Sequence, residues 1–238
     1  MEKYQIERIN LIKEILPMLG DNFILKGGTA LTLFYGCNRF SEDIDLDAKT
    51  NNMNFIDKLK NPHYDTWNIS VKKDTPTVFR AMIDYGAKSD KGDYPLKIEV
   101  SSRNAQFLSK GLMKYTKIDG VNIYDISELI DMKVGAMLSR TKARDVFDVG
   151  YLLEKYPSLF NIKQVKEIVS NMNIKGLDNL SYSLKIEEQE HKLSGVDADS
   201  YVLDMYYRAE SLWSKLNDRT IDGNKGNRES KEKGGLEL

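Results

Sequence analysis

Residues 24–47 of this chain read ILKGGTALTLFYGCNRFSEDIDLD and decide its fold. The pattern predicts a strand, a Gly-Gly turn, a short helix and a second strand that carries alternate aspartates. Successive side chains of a strand point to opposite faces, so Asp43, Asp45 and Asp47 share one face and the aliphatic residues between them take the other. Three carboxylates on one face repel each other unless a positive charge lies between them.

These elements predict a site that transfers a nucleotide from one molecule to another. A divalent cation is the usual partner of clustered carboxylates, and Mg²⁺ favours a few carboxylates together with the phosphates of its substrate. The turn at Gly27 and Gly28 leaves backbone N–H groups uncovered at a helix N-terminus, which suits a triphosphate. A solvated edge strand is the alternative interpretation of the Asp-x-Asp pattern.

Composition places the chain among ordinary globular proteins. It has 238 residues, of which 41% are apolar and 30% charged, enough for one large domain or two small ones. The charged N-terminus has no apolar secretory segment, and no apolar run is long enough to span a bilayer. The one cysteine, Cys37, permits no internal disulfide and is expected to be a small buried residue. We therefore expect a cytoplasmic location.

The polar residues limit the chemistry. The two histidines, His63 and His191, are too few for a zinc site or a histidine-driven triad, which leaves carboxylates, lysines and metal. The net charge of −1 gives no overall attraction to nucleic acid. The basic residues nevertheless form two clusters. The first contains Arg103, Lys110, Lys114 and Lys117, and the second contains Lys133, Arg140, Lys142 and Arg144. Each cluster is either a solvated face or a source of positive potential beside the carboxylates.

The periodicity predicts an α/β N-terminal half followed by a helical C-terminal half. We expect an α/β domain over residues 1–124, a helical domain over 125–216 and a disordered tail over 217–238. Within the first domain we expect a helix at 51–59 and an edge strand at 121–124.

Glu99 is the candidate third carboxylate. In the predicted strand at 96–101, its side chain shares the polar face with Lys97 while the other face is aliphatic. If this strand neighbours the aspartate strand, Glu99 completes a two-metal site with Asp43 and Asp45. The alternative is a solvated face formed by Lys97 and Glu99.

The second basic cluster lies on two predicted helices. Lys133 and Arg140 are seven residues apart and share a helix face, while Arg144 and Asp148 are four apart with Asp145 beside them. The aspartates could hold cations that face a triphosphate, although ion-paired helix faces are also common in proteins without such a site.

The motifs KGGTAL at 26–31 and RFSEDIDL at 39–46 resemble the first motif of the DNA polymerase β-like nucleotidyltransferase superfamily. The Arg-x-Ser-x-Asp-x-Asp form is similar to the AbiEii-type branch, the toxins of type IV toxin–antitoxin systems. Lys133 followed by Arg140-x-Lys142-x-Arg144-Asp145-x-x-Asp148 resembles the downstream motif of that branch. The resemblance implies an α+β fold, with a mixed-sheet N-terminal half and a helical C-terminal half.

The resemblance implies Mg²⁺-dependent transfer of an NMP from an NTP to an acceptor, with release of pyrophosphate. By that analogy Asp43 and Asp45 hold two metals with Glu99, and Lys133, Asp145 and Asp148 complete the catalytic set. The residues implied to bind nucleotide are Lys26, Gly27, Gly28, Thr29, Arg39, Ser41, Arg140 and Arg144. The acceptor is expected to be an RNA, such as a tRNA, and a cognate antitoxin is an expected partner. The alternatives are a small-molecule nucleotidyltransferase and a silent nucleotide- or RNA-binding module.

Overall fold

The structure is a computed structural model that describes residues 2–59, 66–89, 92–140, 142–189, 193 and 195–233, with side chains through residue 219. His63 and His191 lie outside the described residues. The chain divides into two compact units. The first contains Met1–Lys133 and Glu187–Gly195, and the second contains Val134–Ile186 and Val196–Leu238. The domain boundaries expected from the sequence stay predictions.

The first unit is built on a seven-stranded mixed sheet. Its strands are β1 (Phe23–Lys26), β2 (Ile44–Ala48), β3 (Asn68–Thr75), β4 (Val78–Asp84), β7 (Leu96–Ser101), β8 (Tyr115–Ile118) and β9 (Val121–Tyr124). They lie in the order β3-β4-β7-β2-β1-β9-β8, and the pairs β1–β9 and β2–β7 are parallel. A separate hairpin pairs β5 (Lys88–Ser89) with β6 (Gly92–Asp93). The mixed sheet confirms the predicted fold class.

Short helices connect the strands of this unit. Helix α1 (Lys3–Ile15) leads into a 3₁₀ turn that begins at Leu16, α2 (Gly27–Phe34) joins β1 to β2, and α3 (Ala105–Ser109) follows β7. The long helix α4 (Ile126–Ser139) begins after β9, and the division between the units falls within it.

Alternating burial along β7 explains how the sheet carries a core and a site. Leu96, Ile98 and Val100 are fully buried, whereas Lys97 and Glu99 between them are half-buried. The two faces of the strand therefore serve different purposes, as the sequence predicts. The aliphatic face contributes to the core, and the polar face is left for charged side chains.

The second unit is helical. Its helices are α5 (Ala143–Lys155), α6 (Ile162–Lys175), α7 (Leu177–Gln189) and α8 (Ala198–Lys233), with a 3₁₀ turn at Pro157–Leu159. Helices α5 and α6 both pack on α8. Among the described helices, none combines the length and apolar content needed to cross a bilayer.

Two predicted elements need correction. Residues 51–59 form only a 3₁₀ turn at Ile56–Leu59, because a short polar segment rich in asparagine gains little from helical propensity. The strand at Val121–Tyr124 exists but is not an edge strand, since β8 covers it and forms the edge. All four residues of β8 are exposed, so β8 lacks the apolar alternation that reveals a half-buried strand. Helix α8 extends to Lys233, and the expectation of a disordered tail over residues 217–238 stays a prediction.

Candidate active site

The Gly-Gly turn brings the backbone against a carboxylate. Helix α2 begins directly after β1, and Gly27 has a φ of +76°, a conformation that residues with a Cβ rarely adopt. A Cβ on Gly27 would lie 3.2 Å from Oδ2 of Asp45. Glycine at this position therefore allows both the turn and the close approach of β2.

Gly28 is covered by a guanidinium group. A Cβ on Gly28 would lie 2.1 Å from Nη2 of Arg39 and 3.0 Å from Oγ of Ser41. Arg39 is buried and donates from Nη1 to the Phe40 carbonyl at 2.9 Å. Positive charge thus lies directly against the turn at the start of α2.

Hydroxyl groups connect this turn to the aspartate strand. Oγ1 of Thr29 lies 2.8 Å from Oγ of Ser41, and the Thr29 hydroxyl also donates to the Asp43 carbonyl. Four of the predicted nucleotide-binding residues are therefore neighbours. They are Gly28, Thr29, Arg39 and Ser41.

The predicted third carboxylate lies beside the aspartate strand. Strands β2 and β7 are parallel, and Asp45 is in register with Glu99. Lys26, at the end of β1, is in register with Asp45 on its other side. Residues paired across neighbouring strands share a face, so Asp45 and Glu99 project from the same side of the sheet. Glu99 therefore meets the condition for completing a metal site with the aspartates, which is that its strand lies next to theirs.

The carboxylates of Asp43 and Glu99 each form an ion pair with a neighbouring cation. Nζ of Lys97 lies 2.5 Å from Oδ2 of Asp43. Nε of Arg80 donates to Oε2 of Glu99 at 2.6 Å. Within the described part of the chain, no three His, Cys, Asp or Glu side chains are arranged to hold a metal ion. The carboxylates are adjacent, but their oxygens are turned toward the neighbouring cations.

The pKa of Asp43 reflects this crowding. Burial raises its pKa above the ordinary aspartate value, and the charges of Glu42 and Asp45 raise it further against the opposing effect of Lys97. Burial alone would lower the pKa of Lys97, but Asp43 raises it overall, with help from Asp45 and Glu99. A cation bound at the start of β2 would offset the burial of the Asp43 carboxylate and its repulsion from Glu42 and Asp45.

Asp47, the third aspartate of the strand, is a buried anchor. Its Oδ1 accepts from Nζ of Lys26 at 2.5 Å, and its Oδ2 accepts from Nδ2 of Asn104 at 2.7 Å and from the Tyr124 hydroxyl at 2.8 Å. Burial and the Asp47 charge raise the pKa of Tyr124, so the phenol stays protonated. Lys26 was predicted to bind nucleotide, and its ammonium group contacts this buried carboxylate. No sequence signal marks Asn104 or Tyr124, which lie 57 and 77 residues from Asp47.

Arg8 is a third residue of the site region that the sequence pattern did not single out. It is fully buried on α1 and donates to the Glu42 carbonyl at 2.6 Å, to the Tyr94 carbonyl at 2.5 Å and to the Tyr85 hydroxyl at 2.8 Å. Its guanidinium also lies 4.0 Å from the centre of the Tyr94 ring. These contacts fix the backbone immediately before Asp43. The sequence does contain one indication of this burial. Arg8 is four residues before Ile12 and therefore lies on the apolar face of α1, where a charged residue is unusual.

The downstream motif forms a cluster in the second unit. Asp145 accepts from Nε of Arg140 at 2.6 Å and from Nη2 at 2.9 Å. Nζ of Lys175 donates to the carbonyls of Met137 and Arg140 at 2.7 and 3.0 Å, which satisfies acceptors at the end of α4. Asp145 and Asp148 are both buried, and Arg144 is partly exposed. Lys133, the other residue of this motif, is buried on α4 in the first unit. The expected role of each in catalysis stays a prediction.

Comparisons with known proteins agree on a family. The profile of the family described as nucleotidyl transferase AbiEii toxin, type IV TA system, matches residues 15–181. The crystal structure of JHP933 from Helicobacter pylori is 31% identical in sequence with a TM-score of 0.80, covering 95% of this chain and 99% of that chain. A candidate nucleotidyltransferase from H. pylori is 30% identical with a TM-score of 0.76, covering 92% and 98%. Curated proteins give no significant match.

Proposed function

The chain belongs to the AbiEii nucleotidyltransferase toxin family of type IV toxin–antitoxin systems, and on this premise we propose that it transfers an NMP from an NTP to an RNA acceptor with Mg²⁺. The enzyme class follows from the family. The metal, the acceptor and the roles of individual residues are our proposal. A cytoplasmic location and a cognate antitoxin are parts of the same proposal.

The observation that carries the proposal is the register of three residues. Lys26, Asp45 and Glu99 are paired across β1, β2 and β7, and the turn at Gly27 begins directly after Lys26. The helix N-terminus suited to phosphate and the carboxylates suited to a cation therefore lie side by side. A transfer from a nucleoside triphosphate needs both.

Asp43, Asp45 and Glu99 would hold the metal. The fit rests on their oxygen donors, on the register of Asp45 with Glu99, and on the burial and neighbouring negative charges that raise the pKa of Asp43. When bound, Mg²⁺ would neutralise phosphate charge and lower the pKa of a coordinated hydroxyl. Lys97 and Arg80 are the side chains that would have to release Asp43 and Glu99.

In the proposed reaction an acceptor hydroxyl oxygen attacks the α-phosphorus of the NTP. The new P–O bond forms as the bond between the α-phosphorus and the bridging oxygen breaks, and pyrophosphate leaves with that oxygen. Asp43 or Asp45 receives the hydroxyl proton. Arg39 and the N–H groups at Gly28 bind the triphosphate, and Ser41 orients it.

The downstream motif would supply further positive charge. By the family resemblance, Lys133, Arg140 and Arg144 contact phosphate groups. The paired oxygens of Asp145 hold the Arg140 guanidinium in one orientation, which is useful for a phosphate contact. Asp148, buried on α5, would position a neighbouring cation.

Label transfer tests the proposal. Each of the four NTPs, labelled at the α-phosphate, is incubated with the enzyme, Mg²⁺ and total cellular RNA, and both labelled RNA and pyrophosphate are measured. We expect the wild type to label RNA and Asp45→Asn to lose activity by about a hundredfold or more. Asp74→Asn, an exposed aspartate on β3, is the matched control and should retain activity.

Two outcomes contradict the proposal. Label in a small molecule but never in RNA overturns the acceptor and favours a small-molecule transferase. NTP binding without pyrophosphate release from any acceptor overturns the transfer itself, and full activity in Asp45→Asn overturns the assignment of the site.

A further inference from the structure

A second charged surface of the first unit begins where β7 ends. Residues 101–118, which we call the basic segment, comprise the end of β7, helix α3 and strand β8. The segment contains no aspartate or glutamate. Its four cations are Arg103, Lys110, Lys114 and Lys117, and all four are exposed. The transfer chemistry proposed above uses none of them.

Most of this charge has no acidic partner among the side chains that the structure describes. Lys117 forms an ion pair with Asp21 at 2.7 Å. Among the residues that the structure describes, Arg103, Lys110 and Lys114 have no acidic side chain within 4 Å of their charged groups. Glu128 and Asp125 accept hydrogen bonds from the Lys114 N–H and the Thr116 hydroxyl at the edge of the segment, but neither forms an ion pair with Arg103, Lys110 or Lys114. Three cations that form no ion pair with the described residues attract a polyanion.

Large apolar and aromatic side chains are exposed among these cations. Phe107 is 43% exposed, Leu112 64%, and Tyr115 and Ile118 each 37%. Nζ of Lys49 lies 4.3 Å from the centre of the Tyr115 ring. Exposed aromatic rings beside lysine and arginine are the arrangement that binds single-stranded nucleic acid, because bases stack on the rings while cations contact phosphates.

The sheet register relates this surface to the carboxylates. Tyr115 pairs with Tyr124, Ile123 pairs with Leu25, and the next residue, Lys26, pairs with Asp45. Strands β8, β9, β1 and β2 are consecutive in the sheet, so Tyr115 is three interstrand spacings from Asp45, or about 14 Å. An acceptor end at Asp45 would therefore have its preceding nucleotides within reach of Tyr115.

We propose that the basic segment binds the single-stranded end of an RNA acceptor, with bases on Phe107 and Tyr115 and phosphates at Arg103, Lys110 and Lys114. This inference rests on the proposed transfer to RNA. The exposed rings alone would also suit a protein partner, but the uncompensated positive charge favours RNA.

The first experiment measures RNA binding without catalysis. The anisotropy of a short fluorescent single-stranded RNA is followed with the full chain, without NTP, across a salt series. We expect the variant Arg103→Ala/Lys110→Ala/Lys114→Ala to bind at least tenfold more weakly at low salt. The slope of log Kd against log salt should decrease by about 2, because each phosphate contact on a single strand contributes about 0.7.

A matched triple variant controls for net charge. Lys13, Lys58 and Lys72 are exposed lysines elsewhere in the first unit, and their replacement by alanine removes the same charge. This control should bind RNA like the wild type. Equal loss in both variants, or a wild type that does not bind RNA, overturns the proposal, and a wild type that captures a protein through this surface instead does the same.

Tyr115→Ala tests the stacking. We expect binding to weaken by roughly five- to tenfold, since stacking of one base is worth about 1 kcal/mol or more, while Tyr115→Phe keeps the ring and should bind normally. Unchanged binding by Tyr115→Ala contradicts the role of the ring. Thermal unfolding of each variant identifies any general loss of structure.

The transfer assay separates this proposal from the previous one. In the triple variant the KM for RNA should rise while kcat and the KM for NTP stay at wild-type values. If the wild type labels no RNA, the transfer proposal fails, yet the anisotropy experiment still decides whether the basic segment binds RNA.

Discussion

Two adjacent glycines at the start of α2 are needed for different reasons. Gly27 adopts a positive φ, whereas Gly28 has an ordinary backbone conformation but lies under the Arg39 guanidinium. Substitution at Gly27 therefore strains the backbone itself. Substitution at Gly28 leaves the backbone relaxed and displaces a side chain, so it probes phosphate binding more selectively.

Gly28→Ala should impair NTP use with little loss of stability. The new methyl group overlaps Nη2 of Arg39, the flexible end of a long side chain, which can move away. We expect the KM for NTP to rise by about tenfold, because the guanidinium is displaced from the triphosphate site. Steady-state kinetics and thermal unfolding check this, with Gly135→Ala on α4 as the control because its Cβ meets open space. An unchanged KM for NTP contradicts the role of the Arg39–Gly28 contact.

Arg8→Met should destabilise the protein and slow transfer. The substitution removes the donors of two backbone carbonyls, at Glu42 and Tyr94, that fix the approach to Asp43. Loss of these charged hydrogen bonds should cost about 2–4 kcal/mol of unfolding free energy, measured by urea denaturation. Lys13→Met, an exposed change on the same helix, should be nearly neutral. Equal stability of the two variants would show that the Arg8 network is not important.

At the scale of elements, close packing between α5 and α8 depends on a residue with no side chain. A Cβ on Gly150 would lie 2.6 Å from the Tyr201 hydroxyl oxygen and 2.8 Å from Cε1 of its ring. The same hydroxyl donates to the Phe147 carbonyl at 2.6 Å, and the Phe147 and Tyr201 rings stack with centroids 4.9 Å apart. Gly150 thus allows α8 to approach α5 through Tyr201.

Gly150→Ala should therefore destabilise the helical unit. We expect a loss of about 1–3 kcal/mol, because the ring must move out of a well-packed position. Tyr201→Leu removes the overlapping atoms, so the penalty of Gly150→Ala should be smaller in that background. Chemical denaturation of the four proteins of this double-mutant cycle measures the coupling, and strictly additive effects would contradict the contact.

The predicted and the missed elements differ in how local their causes are. The Gly-Gly turn and the aspartate strand arise within short stretches of sequence, and spacing alone indicates them. The pair of Arg140 with Asp145 is equally local, but the sequence pattern groups Asp145 with Arg144 and Asp148 instead. The prediction that Glu99 joins Asp45 holds only if their two strands are neighbours in the sheet. Spacing along the sequence cannot show whether they are. The hydrogen-bond partners of Arg8, Asn104 and Tyr124 are 34 to 86 residues away in the sequence. Periodicity describes only neighbouring residues, so it does not predict these contacts.

At the scale of the whole molecule, the compact units are not continuous in sequence. Residues 187–195 belong to the first unit although they follow the helices α5 and α6 of the second. Leu193, in this returning segment, is fully buried. The described residues of this segment, 187–189, 193 and 195, are thus assigned to the first unit although they lie between the two sequence segments of the second, and local sequence patterns give no indication of that return.

Leu193→Ala tests whether this return contributes to stability. A fully buried leucine loses transfer energy and leaves a cavity on truncation, so we expect a loss of about 2–4 kcal/mol of unfolding free energy. The control is Leu203→Ala on α8, where the leucine is 44% exposed and should cost much less. Hydrogen exchange locates the effect, since protection should fall in the strands of the first unit if Leu193 belongs to the core of that unit. A small loss confined to α7 and α8 would instead assign the segment to the helical unit. Because Asp45 lies on β2 and Glu99 on β7, the first outcome would make the stability of the active-site strands depend on residues far along the chain.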